Sequence, residues 1–408
     1  MPVPRSVISL PLADQLHERA VRSLPGGNTR TTLFVPPHPP YAAKGSGCRL
    51  VDVDGNVLVD LQNNYTALIH GHANREIAAA ANAAIAEGAS FGMPTRHEIE
   101  LAELLCERVA IADRWRFANS GTEAVMVAIR LARAVTGRAA VLRFAGAYHG
   151  SADVVLAAGA PGVPAGVSAD VVEVPVGDLP ALLAALDEHG ERLACVLFDA
   201  MPNRAGLRPA EREYVRTLRA ETARRGILLL QDEVLTFRVA HGGLQSLYDC
   251  EPDITTLGKV IGGGFPIGAI GGRAEIMEAF DPARDGAVGH GGTFSANPVS
   301  MRAGRVAMEL LTRAEIERLN ALGEQLRKAL AEQGWTVTGL GSLARVHVDD
   351  PAQLWWRLYR EGVLIAANGL LCLSTPMDEA VVDHVAGAFE RVAGQVGTSS
   401  AALAQTQE

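Results

Sequence analysis

The sequence predicts an α/β protein, and three observations lead there. Short, nearly unbroken apolar runs recur through the middle of the chain, helix-period segments separate them, and the N-terminal end carries an alternating hairpin instead. A strand covered by helices on both faces reads as an unbroken apolar run, because every pleat buries a side chain. Strand, helix and strand at this rhythm build a mostly parallel sheet.

Taken in order, "CRLVDVDGNVLVDL" (48–61) is two alternating strands around Asp54-Gly55, a strong hairpin signal. The runs "AAVLRF" (139–144), "ADVVEV" (169–174), "LACVLF" (193–198) and "GILLLQDEV" (226–234) read as the buried strands. Amphipathic helices are expected over 178–190 and 209–226, the second with Pro near its start and Gly at its end. From about residue 299 come two long helical stretches, then "WTVTGL", "LARVHV", "VLIAA" and "LLCLS", and a final helix over 377–393. The expected organisation is an N-terminal segment (1–61) joining a smaller α+β domain, a large domain (62–298), the C-terminal part of the small domain (299–395) and a disordered tail (396–408).

Composition narrows the function. Charged residues make up 20% of the chain, the net charge is −9, and no basic stretch stands out. That balance argues against binding nucleic acid or an anionic membrane. The opening "MPVPRSVISLPLADQ" has too short an apolar segment for a signal peptide, and no run approaches a membrane span. Five scattered cysteines with no CxxC pair read as thiols in a reducing cytosol. His70 and His72 have no further ligands at metal spacing, so no metal site is expected.

Three loops at strand ends carry unusual residues, and in open α/β sheets ligands bind at such ends. In "RFANSGTEAVMVAIRLARAVTG" (116–137), Ser120 and Glu123 fit a capping box. An ordinary cap accounts for this, and so does an anion site built from free N–H groups, with Gly121 permitting close approach. In "FAGAYHG" (144–150), Tyr148 and His149 fit either packing under a loop or stacking on a flat ligand. In "LLLQDEVLTF" (228–237), Asp232 ends the most hydrophobic strand, where a carboxylate needs a proton donor or a cation unless it caps a helix. A fourth stretch, "DITTLGKVIGGGFPIGAIGG" (253–272), sets Lys259 beside a run of glycines. It is not a P-loop, since Asp253 and Val260 stand where Gly and Ser or Thr are required, and Ile267 breaks a dinucleotide pattern.

Together, "NSGTEA", "AYHG", "QDEV", "TTLGK" with its glycines, and "GHGGTFSANP" form a signature. From about residue 20 to 390 the chain resembles the class III aminotransferases, pyridoxal-phosphate enzymes of fold type I. Within them it is most similar to the group of glutamate-1-semialdehyde aminomutase and the β-amino-acid aminotransferases. The resemblance implies pyridoxal 5'-phosphate as cofactor, with Lys259 as the Schiff-base lysine and proton carrier. It implies Asp232 as partner of the pyridine nitrogen, Val234 beneath the ring, Tyr148 stacked above it, and Ser120, Gly121 and Thr122 around the phosphate. The glycines at 262–264 are expected to let backbone approach the flat ring. Thr293 is implied to reach the phosphate from the neighbouring subunit of a homodimer, and Arg30 to hold a substrate carboxylate, as a planar guanidinium does well. The expected activity is transfer of an amino group between an amino acid, a β-amino acid among them, and a keto acid, with intramolecular amino transfer as the alternative. The chain departs from the family at Asp199-Ala200, where Glu-Pro is usual, and at Asn368, where some β-amino-acid enzymes place a second arginine.

Overall fold

Residues 9–248 and 250–397 are described by the computed structural model. The tail read as disordered lies outside the described residues from 398 onward. The chain forms two compact units, Met1–Asn74 with Glu317–Glu408, and Arg75–Ile316.

The first unit opens with strands β1 (Ala42–Ser46), β2 (Arg49–Asp52) and β3 (Val57–Asp60), paired antiparallel in that order. The hairpin forms because Gly55 takes φ 90° and Asp52 accepts N–H groups from Gly55 and Asn56. Residues 62–74 are held in this unit too. Asn63 Nδ2 donates to the Cys372 carbonyl, and His72 bridges to Gly47 through the backbone.

The second unit holds β4 (Arg114–Ala118), β5 (Ala140–Phe144), β6 (Val171–Val174), β7 (Leu193–Phe198), β8 (Leu228–Asp232), β9 (Ile254–Gly258) and β10 (Gly268–Gly272). Their order is β4-β10-β9-β8-β7-β5-β6. The five strands from β9 to β6 run parallel, and β10 is antiparallel to both of its neighbours. Every residue of β5, β7 and β9 is buried, as in a sheet covered on both faces, although β9 carries Thr255 and Thr256 and β5 carries Arg143. The helix Gly121–Thr136 packs Ala128, Ile129 and Leu131 into one core with Val141, Leu197, Leu230 and Ile270. Strand β10, "GAIGG", gives no strand signal, because glycine supplies no side chain to pack. Its glycine is imposed by proximity: a Cβ on Gly268 would lie 2.1 Å from the Ser120 carbonyl oxygen.

The C-terminal part of the first unit adds β11 (Thr336–Thr338), β12 (Leu343–His347), β13 (Val363–Leu364) and β14 (Leu370–Cys372). Strands β11, β12 and β14 form one antiparallel sheet, while β13 joins β3 in parallel. Two helix readings need correction. The helix expected over 209–226 runs from Arg212 to Arg224, so Pro209 stands outside it and Glu211 occupies the N-cap position. A helix over Pro351–Arg360, capped by Asp350 and burying Leu354, Trp355, Leu358 and Tyr359, was not expected at all.

Candidate functional site

The carboxyl ends of β7, β8 and β9 converge on one cluster. Strands β8 and β9 are in register at Asp232 and Thr256, which puts Lys259 three residues beyond the level of Asp232. Asp232 is buried, 5% exposed. Its Oδ2 lies 2.7 Å from His149 Nδ1, and its Oδ1 accepts the Val234 N–H at 3.0 Å and the Thr256 hydroxyl at 3.4 Å. A buried carboxylate satisfied mainly by one imidazole and neutral donors can still pair with a cation.

His149 completes this picture in a role the sequence did not indicate, as hydrogen-bond partner of Asp232. Its Nε2 is buried with no hydrogen-bond partner among the described residues. The signal was present in "AYHG", but only the fold shows which carboxylate the imidazole meets. The same loop is pressed onto the helix that starts at Gly121: Gly150 takes φ 103°, and a Cβ there would lie 2.5 Å from Thr122 Oγ1.

Asp199 stands at the end of β7, one residue past the Phe198–Gln231 pair of the sheet, so it neighbours Asp232 across the strands. Burial, then the Asp232 charge, pushes its carboxyl up to about 7, while His149, the Met201 N–H and Lys259 pull it down. Glu233, fully buried, turns the other way. It accepts from Thr236 Oγ1 at 2.6 Å, Gln245 N at 2.6 Å and Leu244 N at 3.0 Å, and burial outweighs those bonds to push its carboxyl up to about 7.

Lys259 follows β9 with φ 51°, in the left-handed region that few non-glycine residues occupy. Its side chain is partly buried. Val234 sits between two bare backbones: a Cβ on Gly121 would meet its Cγ1 at 3.0 Å, and one on Gly258 at 3.3 Å. Two of the glycines at 262–264 meet the protein's own atoms closely. A Cβ on Gly262 would strike Ile267 Cγ2 at 2.6 Å, and one on Gly263 the Ala303 carbonyl at 2.8 Å, so the bareness accommodates the protein's own packing.

Ser120 caps the helix Gly121–Thr136, its hydroxyl accepting the Glu123 N–H at 3.2 Å. The reciprocal half of the expected box differs: Glu123 Oε2 takes the Asn119 N–H at 2.7 Å instead of that of Ser120. Tyr148 is 47% exposed, and the Arg204 guanidinium carbon lies 4.0 Å from its ring centroid. Thr293 is exposed and lines a cavity of about 220 Å³ with Ser90, Phe91, Met93, Glu98 and Ser295. Its loop stays close to the helix start, since Asn119 Nδ2 donates to Ser295 Oγ at 3.5 Å.

Arg30 belongs to the first unit, on an exposed loop, with Nη1 donating to Asn64 Oδ1 at 2.7 Å. Asn368, at the position noted for its departure, accepts the Leu370 N–H at 3.3 Å and so serves its own turn. His72 is occupied by Asp60 at 2.7 Å, and His70 lies 3.3 Å from Thr375 Oγ1. Among the described residues no helix is long and apolar enough to cross a membrane.

The geometry thus brings Asp232, Val234, Gly121, Thr122 and Lys259 to one end of the large sheet, together with His149 and Asp199. Comparison with known proteins agrees in kind. Residues 35–377 match the family described as aminotransferase class III. The chain is 43% identical over 330 residues to a glutamate-1-semialdehyde 2,1-aminomutase of Methanothermobacter thermautotrophicus, covering 78% of each protein. Among solved structures it resembles a transaminase with PLP bound, at 42% identity and TM-score 0.92, covering 98% of this chain and 100% of that one. It also resembles a β-phenylalanine aminotransferase from Variovorax paradoxus, at 34% identity and TM-score 0.89, covering 96% of each chain. The chain belongs to the class III aminotransferases, with the α/β architecture of fold type I.

Proposed function

We propose that this enzyme moves an amino group between an amino acid that carries a carboxylate, β-amino acids among them, and a keto acid, using pyridoxal 5'-phosphate. The observation that carries the reading is the buried Asp232 carboxylate, held by His149 in the same compact unit as the strained Lys259. The residues fit the cofactor. Asp232 suits a protonated ring nitrogen, the exposed Tyr148 and the apolar Val234 suit the two faces of a flat ring, and the helix start at Ser120, Gly121 and Thr122 suits a phosphate.

When bound, the cofactor supplies an electron sink for the pair left on the substrate carbon. Asp232 keeps a proton on the ring nitrogen, and His149 keeps Asp232 in place. Lys259 is the residue that would hold the cofactor, and its free amine would take the proton from the substrate carbon. It stands just past the carboxyl end of β9, directly after Gly258, at the sheet end that also carries Asp232. Arg30 receives the substrate carboxylate through a charge-assisted fork.

The β-phenylalanine aminotransferase supports a β-amino acid as donor. Intramolecular amino transfer is a second reading, favoured by the aminomutase relative. Against it, the segment from Ser151 to Asp170 is short and carries only two single turns, Asp153–Val155 and Ala165–Ser168. A mutase needs to keep its intermediate enclosed. We read the enzyme as a homodimer in which Thr293 serves the partner's phosphate; its exposure beside Phe91, Met93 and Phe294, which are 49%, 75% and 62% exposed, supports this. Five free thiols support a cytoplasmic location.

Two experiments test the reading. Borohydride reduction of the holoenzyme followed by peptide mass analysis should place the cofactor's mass on the peptide containing Lys259; a label elsewhere would refute its role. Turnover of an amino donor should stop after one equivalent and resume on adding a keto acid. Sustained conversion of glutamate semialdehyde without acceptor would instead establish the mutase.

A further inference from the structure

Between β3 and the helix that opens at Arg75, the backbone does something costly. Asn63, Asn64, Tyr65 and Thr66 take φ values of 45°, 49°, 54° and 74°, a complete left-handed turn without a glycine. For L-residues this region brings Cβ against the following carbonyl. Asparagine tolerates it, whereas Tyr and the β-branched Thr are outliers there. Such strain persists only where the surroundings over-determine it, and it gathers at ligand clamps and active sites.

The over-determination is visible on the inner side. Asn63 and Thr66 are fully buried. Asp60 Oδ1 accepts the N–H groups of Gln62 at 2.8 Å and Asn63 at 2.9 Å, while its Oδ2 is held 2.7 Å from His72 Nε2. Asn63 Nδ2 reaches the Cys372 carbonyl at 2.9 Å, and Leu68 N closes the turn on the Asn63 carbonyl at 3.0 Å. The outer side carries the two remaining side chains, and both go to one loop. Asn64 Oδ1 accepts from Arg30 Nη1 at 2.7 Å, and the Tyr65 hydroxyl donates to the Thr32 carbonyl. Arg30 is further fixed by its own N–H, which Asn28 Oδ1 accepts at 2.9 Å.

We infer that this left-handed turn is a positioning element for Arg30, with Asn64 the residue that sets the direction of its guanidinium. An exposed arginine on an irregular loop loses much rotamer freedom on meeting a carboxylate. Asn64 fixes one nitrogen beforehand and leaves the remaining N–H groups of the fork to an incoming carboxylate. The left-handed backbone is what projects Asn64 and Tyr65 together toward residues 30–32. The inference rests on Arg30 as the carboxylate anchor, so its test separates the two.

The test uses the holoenzyme and two competitive inhibitors of equal shape, 3-phenylpropanoate and its uncharged amide. Wild type should bind the carboxylate more tightly than the amide, and Arg30→Ala should erase that preference. Asn64→Gly, which tolerates the left-handed backbone and removes the side chain together with its acceptor, should weaken the carboxylate about tenfold, leaving the amide unchanged. Adding it to Arg30→Ala should change nothing further. Tyr65→Phe, which deletes the hydroxyl alone, should show the same selective direction to a smaller extent. If wild type shows no preference or Arg30→Ala keeps it, the anchor itself is wrong. If Arg30→Ala is selective but Asn64→Gly and Tyr65→Phe weaken both inhibitors equally or neither, the positioning role is overturned.

Discussion

The imidazole of His149 lies with Nδ1 2.7 Å from Asp232 Oδ2, both groups being buried at the carboxyl end of β8. The pairing fixes the carboxylate's direction and leaves His149 Nε2 without a hydrogen-bond partner among the described residues. Replacing His149 by leucine removes a hydrogen bond to a charged group, worth about 1.5–3 kcal/mol. Turnover should fall about ten- to hundredfold, with His149→Gln intermediate. Equal activity of His149→Leu and wild type would show that the imidazole is only packing.

Asp232→Asn should act on chemistry far more than on the fold. The amide cannot hold a proton on a ring nitrogen, and loss of one well-placed electrostatic group costs about 10²–10³ in turnover. Urea unfolding of the apoprotein should shift little, because the Val234 N–H and Thr256 hydroxyl can bond the amide oxygen. Wild-type kinetics in this variant would remove Asp232 from the mechanism.

Asp199 and Glu233 predict a pH dependence of stability. Their folded carboxyls sit at about 7, above the ordinary values of 3.8 and 4.5, so between those limits the folded chain holds more protons than the unfolded one. Their contribution to stability is therefore fully present below about pH 4 and lost as pH rises through about 7. Asp199→Asn keeps a neutral side chain at every pH. Relative to wild type it should stabilise the apoprotein more at pH 8 than at pH 5.5 in urea unfolding. A difference that does not change with pH would mean Asp199 is ionised throughout.

Arg204 over Tyr148, at 4.0 Å, predicts coupling between the two in holding the cofactor. A cation over an exposed aromatic face contributes about 0.5–1 kcal/mol. In a double-mutant cycle of Arg204→Gln and Tyr148→Leu, read as cofactor affinity of the apoprotein, the coupling should fall in that range. Strict additivity would leave Arg204 as an ordinary surface residue.

Asp253 ties three elements of the second unit. Its Oδ2 accepts from Arg219 and from Leu229 N at 2.8 and 2.7 Å, and its Oδ1 pairs with Arg273 at 2.8 Å. Asp253→Ala leaves a buried N–H unpaired and two arginines without their anchor. It should destabilise the protein by about 2–4 kcal/mol by urea unfolding. Turnover per bound cofactor should be unaffected; a selective loss of turnover would move Asp253 into the site.

The sequence by itself determined the covered strands, their alternation with helices, and the loops at their ends. Burial leaves a periodic trace that needs no knowledge of neighbours. "LACVLF" reads as a strand and is β7 to the residue. The motifs of Asp232, Lys259 and Ser120 were legible for the same reason, each standing at a break in such a run. Tertiary structure decided what depends on residues distant in the chain. Strand β10 is a strand because β4 and β9 supply its hydrogen bonds, although its own glycines argue against one. Gly262 and Gly263 are packed against Ile267 and Ala303, which no local pattern names. The left-handed turn at Asn63–Thr66 runs against every local preference of Tyr65 and Thr66. It exists because Asp60 and, more than 300 residues away along the chain, the carbonyl of Cys372 hold it there.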